Sequence, residues 1–269
     1  MPIVFAALSP HPPIIIFEIG GIETKKVKKT IEAMEKLAED LSKADPETLI
    51  VISPHGLVYP DRMNVCGMEK LFGDFSQFGH PEVRFSFIND LDLAIAIDKL
   101  ANKEGIETLL YNNDSLDKTY ELDHGTLVPL YFLSKNLTNI KVLPISYSFL
   151  SRDEHFDFGE IIKKAIGKKR VALIASGDLS HRLIFQAPAG YTPIGKKFDQ
   201  TLLKLIKQNK IQEILDLDEE FIEEAGECGY RSILILLGAI HDLKIKPEIL
   251  SYEGPFGVGY GVIEFKISN

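Results

Sequence analysis

The stretch Thr48-Leu49-Ile50-Val51-Ile52-Ser53-Pro54-His55 joins a short apolar run to an abrupt Ser-Pro stop. A run of this length, rich in Ile and Val, predicts a strand that is buried on both faces of a sheet. Residues 4–8 form a similar run that stops at Ser9-Pro10, and residues 171–175 form a third that stops at Ser176-Gly177. Three such runs indicate the centre of a mostly parallel sheet that helices cover on both sides.

Helical and strand patterns alternate along the rest of the chain. We predict helices at residues 22–43, 90–103, 125–137, 153–166, 195–208, 211–217 and 230–243. We predict further strands at residues 83–88, 106–111, 141–146, 249–252 and 260–267. Residues 56–82, rich in Gly, Pro and Asp, are predicted to form a long loop that covers or serves a site. The alternation predicts a three-layer α/β/α fold with a mostly parallel, mixed sheet, in one domain over residues 1–269.

The composition limits the classes of function. The chain has 269 residues and a formal net charge of −9, so most of its surface would repel a nucleic-acid backbone. Its two cysteines, Cys66 and Cys228, are too few for a disulfide framework and indicate a reducing compartment. No apolar run reaches the roughly 18–20 residues that span a membrane, and residues 1–16 lack the features of a signal peptide. We therefore expect a cytoplasmic protein that binds neither nucleic acid nor membranes.

A histidine follows the end of each buried strand. His11 and His55 each come two residues after a strand-ending serine, and His181 comes five residues after Ser176. Because ligands of parallel sheets bind beyond the carboxyl ends of the strands, these imidazoles are expected to converge in one crevice. His124, at the start of a predicted helix, is a fourth candidate. The remaining histidines lack this placement and are expected on the surface or in packing: His80, His155 and His241.

Two glycines bracket Glu227 and Cys228 immediately before the apolar helix predicted at residues 230–243. A carboxylate beside two imidazoles would complete the 2-His-1-carboxylate set of non-haem Fe(II) oxygenases. Glu227 could instead face the amino terminus of that helix and its dipole, and Cys228 could be a soft metal ligand or a small buried residue. Asp123 and Asp178 could set imidazole tautomers, or could cap a helix and form a turn.

Five short motifs, in their order and spacing, resemble those of the class III extradiol ring-cleaving dioxygenase superfamily, the LigB-like proteins. They are Ser-Pro-His-Pro-Pro at 9–13, Ser-Pro-His-Gly at 53–56, Leu-Asp-His-Gly-Thr at 122–126, Ser-Gly-Asp-Leu-Ser-His at 176–181 and Gly-Glu-Cys-Gly-Tyr-Arg at 226–231. No single motif is specific, but together they cover the chain from residue 9 to residue 232. The resemblance implies the LigB-like α/β/α fold for the whole chain.

The resemblance also implies a reaction and roles for single residues. By position, His11, His55 and Glu227 would hold Fe(2+), with Zn(2+) possible as isolated. His181 would be the acid/base residue, and His124 would orient the substrate or contact oxygen. The reaction would insert both atoms of O2 into a small catechol-type aromatic diol, and the chain would assemble as a homo-oligomer, a dimer or larger.

Two alternatives to ring cleavage follow from the same residues. The superfamily also contains the Memo proteins, whose site uses a Cys in place of the late Glu, and Cys228 lies where that Cys would fall. A Memo-like metal-binding or regulatory protein without ring-cleavage activity is therefore one alternative. A metal-dependent hydrolase is the other, because His, His and Glu suit Zn(II) as well as Fe(II).

Overall fold

The structure, a computed structural model, describes residues 2–112 and 119–268, in which eleven strands form one sheet. The strands are β1 (Ile3–Ser9), β2 (Thr48–Ser53), β3 (Met63–Cys66), β4 (Lys70–Phe75), β5 (His80–Ile88), β6 (Thr108–Tyr111), β7 (Thr119–Glu121), β8 (Lys141–Ser146), β9 (Val171–Ser176), β10 (Ile245–Glu253) and β11 (Tyr260–Ile267). The α-helices are α1 (Phe17–Gly20), α2 (Lys28–Ala44), α3 (Leu91–Glu104), α4 (His124–Leu133), α5 (Arg152–Ile166), α6 (Pro193–Lys207), α7 (Ile211–Leu215), α8 (Glu219–Ala225) and α9 (Tyr230–Ile240). Short 3-10 helices lie at Pro13–Ile15, Gly21–Val27 and Ser76–Phe78.

The middle of the sheet is parallel. β1 pairs with β9, β9 pairs with β2, and β2 pairs with β8, all in parallel register. Every residue of β2 and β9 is buried, which explains why each strand contains a continuous apolar run rather than an alternating pattern. Antiparallel pairs lie outside this centre, where β11 joins β1 and β10, and β5 joins β4. The predicted mixed sheet with a parallel centre is confirmed.

Helices cover both faces of the sheet. In β1, Ala6 and Leu8 face a core that they share with residues of α3, α5, α6 and α9. Phe5 and Ala7 face the opposite core, which contains residues of α2 and α4. Because successive side chains of a strand point to opposite faces, one strand contributes to two separate cores. The predicted three-layer α/β/α arrangement is therefore confirmed.

Two helices bear out their sequence patterns in detail. Asp90, the first residue of the predicted helix, caps α3, since its side chain accepts a hydrogen bond from Leu93 N. Every residue of α9 except Arg231 is buried, as its apolar sequence predicts. α9 has 11 residues, and within the described residues no helix combines the length and apolar character needed to cross a bilayer.

The prediction of a long loop at residues 56–82 is wrong. β3 and β4 lie inside this segment, and β5 begins inside it. β3 pairs with β6 and β8, and β4 pairs with β5 and β7. β3 is only four residues long and β4 six, and all of their partner strands come later in the chain. Such strands depend on tertiary pairing, which local composition does not reveal.

The crossing of α5 and α9 leaves no room for a side chain at Gly159 or Gly238. A Cβ atom on Gly238 would lie 1.9 Å from the carbonyl oxygen of Phe156, and one on Gly159 would lie 2.0 Å from that of Ile235. Gly238→Ala should therefore lower the free energy of unfolding by about 1–3 kcal/mol, the usual cost of overpacking, even though alanine favours helix. Urea unfolding measures the loss, with Asp157→Ala on the exposed side of α5 as the control. A Gly238→Ala variant as stable as the wild type would contradict the close crossing.

Candidate metal centre

The carboxyl ends of the central strands lie level at one edge of the sheet. Ser9, the last residue of β1, pairs with Ser176, the last residue of β9. β2 runs parallel beside β9 and ends level with it at Ser53. Because the three ends are level, the chain that leaves each strand enters the same space. His11 and His55, two residues beyond β1 and β2, therefore come together as predicted.

Three imidazoles form a cluster at this edge. His11 Nε2 and His55 Nε2 are 3.0 Å apart, and the rings of His55 and His124 stack with their centroids 4.2 Å apart. One nitrogen of each ring lies within 4.8 Å of the other two. His124 reaches the cluster because Asp123 caps α4 and makes His124 its first residue. Within residues 2–112 and 119–268, this is the one group of three His, Cys, Asp or Glu side chains placed to share a metal ion.

Burial keeps these imidazoles neutral. Desolvation, followed by repulsion from neighbouring imidazoles, holds the pKa of His11 well below its usual 6.5. Desolvation is also the main cause that lowers the pKa of His55 to about 4, although part of this side chain is exposed. Desolvation likewise lowers the pKa of His124. Histidine binds a metal ion through a nitrogen lone pair, which only the unprotonated nitrogen offers. The donor set therefore fits an ion such as Fe(II) or Zn(II).

His181 lies close to this cluster. Its Nδ1 is 2.6 Å from the carbonyl oxygen of Gly226, which can only accept, so Nδ1 carries the proton and Nε2 is bare. A charge on His181 would lower the pKa of both His11 and His55, so the rings are near enough to influence one another. Burial lowers the pKa of His181 itself. The ring thus offers an unprotonated nitrogen beside the cluster, as an acid/base residue requires.

Backbone hydrogen bonds join the loop after β9 to the loop before α9. Cys228 N and Gly229 N both donate to the carbonyl oxygen of Asp178. The two loops touch at Gly177 and Gly229, where a Cβ atom on Gly177 would lie 2.1 Å from Gly229 Cα. Only glycine permits this approach of one backbone to another. The glycine beside Cys228, singled out in the sequence, therefore serves loop contact.

Glu227 and Cys228 have different surroundings. Cys228 Sγ lies 3.6 Å from His11 Nε2, and burial raises the pKa of its thiol well above the usual range. Glu227 Oε2 accepts a hydrogen bond from Tyr230 N, in the first turn of α9, over 2.5 Å. Burial raises the pKa of Glu227 to about 7. Among the described residues, no group of three potential metal ligands includes Glu227.

Asp123 and Asp178 both hold backbone near the imidazoles. Asp123 accepts hydrogen bonds from Thr126 N as the cap of α4 and from Ser53 Oγ. Asp178 Oδ1 accepts a hydrogen bond from His11 N over 3.0 Å, and burial raises its pKa to about 7. Asp178 Oδ2 lies 4.0 Å from His11 Nε2, which is too far for a hydrogen bond. Both carboxyl groups thus fix the chain that carries the imidazoles.

A cavity of about 470 Å³ opens beside His55 and Asp123. Tyr111 and Tyr120 line it, with their ring centroids 5.7 Å apart, and Gln77 contributes an amide. A cavity of this volume accommodates a small organic molecule. The cavity therefore gives the imidazole cluster an adjoining space bordered by aromatic and polar groups.

Sequence reasoning missed two residues of this region. Ser146 ends β8 just as Ser53 ends β2, and this signal was available although no histidine follows. Tyr120 carried no signal, because its place depends on the pairing of β7 with β4. The histidines expected in packing or on the surface have those places. His155 is buried against two backbone carbonyls, and His80 and His241 contact nearby glutamates.

The chain matches a family model over nearly all its length. The model is described as the catalytic LigB subunit of aromatic ring-opening dioxygenase and matches residues 5–263. Protein CA_C1420 of Clostridium acetobutylicum is 40% identical in an alignment of length 264 that covers 96% of this chain but only 56% of that protein. The 2-aminophenol 1,6-dioxygenase beta subunit of a Pseudomonas species is 24% identical in an alignment of length 302 that covers 98% of this chain and 94% of that subunit.

A solved structure shares the fold. The crystal structure of uncharacterized protein JW3007 from Escherichia coli K12 is similar with a TM-score of 0.64, over 97% of this chain and 99% of that chain. The two sequences are 16% identical. At this identity the likeness supports the LigB-like α/β/α architecture and carries nothing about chemistry.

Asp199 of α6 supports the loop that carries His181, and its ionisation should weaken the fold. Its buried carboxyl accepts hydrogen bonds from Ser180 N and Tyr252 OH, and burial raises its pKa from 3.8 to about 6. The folded state keeps a proton that the unfolded state releases, so stability is lost as the pH rises from about 4 to about 6. Asp199→Asn cannot ionise and should lack this loss, which is on the order of 3 kcal/mol at about 1.4 kcal/mol per pKa unit.

Urea unfolding of the wild type and of Asp199→Asn, from pH 4 to pH 7, measures the difference directly. The free energy of unfolding of Asp199→Asn minus that of the wild type should increase as the pH rises to about 6 and should then stay constant. Parallel curves over the whole range would contradict a buried Asp199 with a raised pKa.

Proposed function

The chain belongs to the family of the catalytic LigB subunit of aromatic ring-opening dioxygenases, and on that premise we propose that it is a non-haem Fe(II)-dependent extradiol dioxygenase. It would act as one domain on a small catechol-type aromatic and insert both atoms of O2. The observation that carries the proposal is the cluster of His11, His55 and His124, whose nitrogens lie within 4.8 Å of one another. The cavity beside His55 supports it, because an aromatic ring needs such a space.

His11 and His55 would hold the ion, and three residues compete for the third position. His124 is favoured by the geometry, since its nitrogen already lies in the cluster. Cys228 is adjacent, with Sγ 3.6 Å from His11 Nε2. Glu227, the ligand that the family resemblance implies, would first have to release Tyr230 N. Fe(II) bound there would supply a Lewis acid that lowers the pKa of the substrate hydroxyls and a position for O2.

His181 would move protons. Its Nδ1 proton is engaged by Gly226 O, so Nε2 can take a proton from a substrate hydroxyl and return it later in the reaction. The hydrogen bond to Gly226 also fixes the ring, because rotation would break it. Tyr111 and Tyr120 would border the aromatic ring in the cavity and restrict its orientation.

A second candidate function rests on Cys228. Its sulfur is next to His11 while Glu227 faces α9, which favours a Memo-like protein that binds a metal without cleaving a ring. A soft thiolate beside imidazoles also suits Zn(II), so the same donor set is compatible with a zinc hydrolase. Metal identity and O2 consumption separate these functions from the dioxygenase.

Assembly with further subunits is part of the proposal. The Pseudomonas relative is named as a beta subunit, and we propose that this chain likewise works as an oligomer, built from copies of itself. Light scattering of the purified chain measures the mass of the assembly.

The third metal ligand can be assigned by substitution. Anaerobic titration with Fe(II) should show that His124→Ala weakens binding by more than the roughly 10–100-fold that loss of an outer hydrogen-bond partner causes. Glu227→Ala should weaken it less than that, because this carboxyl faces Tyr230 N. His80→Ala, on β5, is the control. Loss of binding in Glu227→Ala alone would restore the 2-His-1-carboxylate set, and loss in Cys228→Ala alone would favour the Memo-like function.

Ring cleavage itself is tested by O2 uptake after anaerobic loading with Fe(II). A panel of catechols and 2-aminophenol should include a compound that consumes O2 and gives a yellow ring-opened product. His181→Ala should keep the metal and lower kcat by roughly 10²–10⁴-fold, the range of acid/base catalysis. Tight metal binding without O2 uptake on any compound would count against the dioxygenase and for the second candidate.

A further inference from the structure

A row of four serines lies beneath the imidazole cluster. β1, β9, β2 and β8 are neighbours in the sheet, and each ends in a serine. All four side chains are at least nine-tenths buried: Ser9, Ser176, Ser53 and Ser146. Buried hydroxyl groups need hydrogen-bond partners, so their contacts show what each serine does.

The hydroxyl groups of this serine row have different partners. Ser9 Oγ donates to the carbonyl oxygen of Pro10, and Ser53 Oγ donates to Asp123 Oδ1. Ser176 Oγ donates to the carbonyl oxygen of Gly125, in the first turn of α4. Within the described residues, Ser176 is the member of the row whose hydroxyl is hydrogen-bonded to an imidazole nitrogen, with Oγ 3.0 Å from His11 Nδ1.

The single proton of the Ser176 hydroxyl decides the state of His11. Gly125 O has no proton to give, so the hydroxyl must donate to it. Ser176 Oγ can then only accept from His11, which requires the proton of the imidazole to be on Nδ1. In a neutral imidazole the other nitrogen is then bare.

The surroundings of His11 Nε2 agree with a bare nitrogen. His55 Nε2 lies 3.0 Å away and Cys228 Sγ 3.6 Å away, and both can donate a proton. Among the residues that the structure describes, the carboxylate oxygen nearest to this nitrogen is Asp178 Oδ2, which is 4.0 Å away and too far to accept a proton from Nε2. His11 therefore turns its lone pair into the cluster, where a metal would be held.

We propose that Ser176 is a positioning residue that fixes His11 in the Nδ1-protonated tautomer and so presents the Nε2 lone pair to the metal centre. The metal centre is that of the proposed function, but the tautomer is a property of the chain alone. Ser176 can do this because β9 lies between β1 and β2, so its end reaches both His11 and the start of α4. The residue that accepts its proton, Gly125, is tightly enclosed, since a Cβ atom there would lie 2.5 Å from Ser53 Oγ and 3.2 Å from His55 Cδ2.

A difference between His11 and His55 follows. If His11 Nε2 is bare, the contact of 3.0 Å between the two Nε2 atoms requires the proton to be on His55 Nε2. His11 is thus already in the form that binds a metal through Nε2, whereas His55 must transfer its proton to Nδ1 to bind through the same atom. Ser176 makes His11 the prepared ligand of the pair.

Nitrogen-15 NMR of the imidazoles in the metal-free protein tests the tautomers directly, because protonated and bare ring nitrogens have distinct shifts. The wild type should show the proton on His11 Nδ1 and on His55 Nε2. Ser176→Ala should remove the preference of His11 and weaken Co(II) or Zn(II) binding by roughly 10–100-fold. Ser9→Ala is the matched control, because Ser9 occupies the neighbouring place in the row and donates to Pro10 O. It should leave both measurements unchanged.

Three results would overturn the proposal: a wild-type His11 protonated on Nε2, a Ser176→Ala variant with the wild-type tautomer and affinity, or an equal effect of Ser9→Ala. The first is read from the wild type, so the test stands even if Ser176→Ala does not fold. A wild type that binds neither Fe(II), Co(II) nor Zn(II) would instead overturn the proposed function. The metal-free spectra would still decide the role of Ser176.

Discussion

The parallel register of β1, β9 and β2 is the constraint on which the imidazole cluster depends. Ser9 pairs with Ser176, and β2 is aligned with β9 from Thr48 to Ile52. A slip of one residue would move the end of a strand by about 3.3 Å and reverse the faces of its side chains. His11 and His55 have their Nε2 atoms 3.0 Å apart, so a slip of this size would separate them. The burial that fixes the register in the two cores therefore also fixes the distances at the sheet edge.

Burial, together with the closeness of the imidazoles, makes the metal-free site sensitive to acid. The unfolded chain takes up protons on its histidines near pH 6.5, whereas His55 in the folded chain resists protonation down to about pH 4 and the pKa of His11 is also well below 6.5. Stability contributed by neutral imidazoles is thus lost as the pH falls from about 6.5 to about 4. A cation that binds only the folded cluster would stabilise it by mass action. The cluster therefore weakens the metal-free fold in acid, whereas a bound cation would stabilise it.

The centre of the fold could be predicted from sequence because its signals are local. β2 and β9 each contain a continuous apolar run that stops at serine, and such runs are typical of strands buried on both faces. Residues 56–82 gave no such signal. β4 alternates buried and exposed residues over only six positions and includes a glycine, and β3 needs β8 and β6 beside it. Propensity rules cannot detect strands that form only because they pair with a strand distant in the sequence.

The histidines of the site could be predicted for the same local reason, whereas the surroundings of Glu227 and Cys228 could not. Glu227 and Cys228 lie in one turn between α8 and α9. The sequence motif contains both residues but does not indicate where either side chain points. Their directions depend on Gly226, which ends α8 in the left-handed conformation with φ 61°, and on Cys228 N, which donates to Asp178 O in the loop after β9. That hydrogen bond holds Cys228 against the cluster and leaves Glu227 to Tyr230 N. The choice between carboxylate and sulfur beside the imidazoles is therefore made by contact between two loops, which no local pattern encodes.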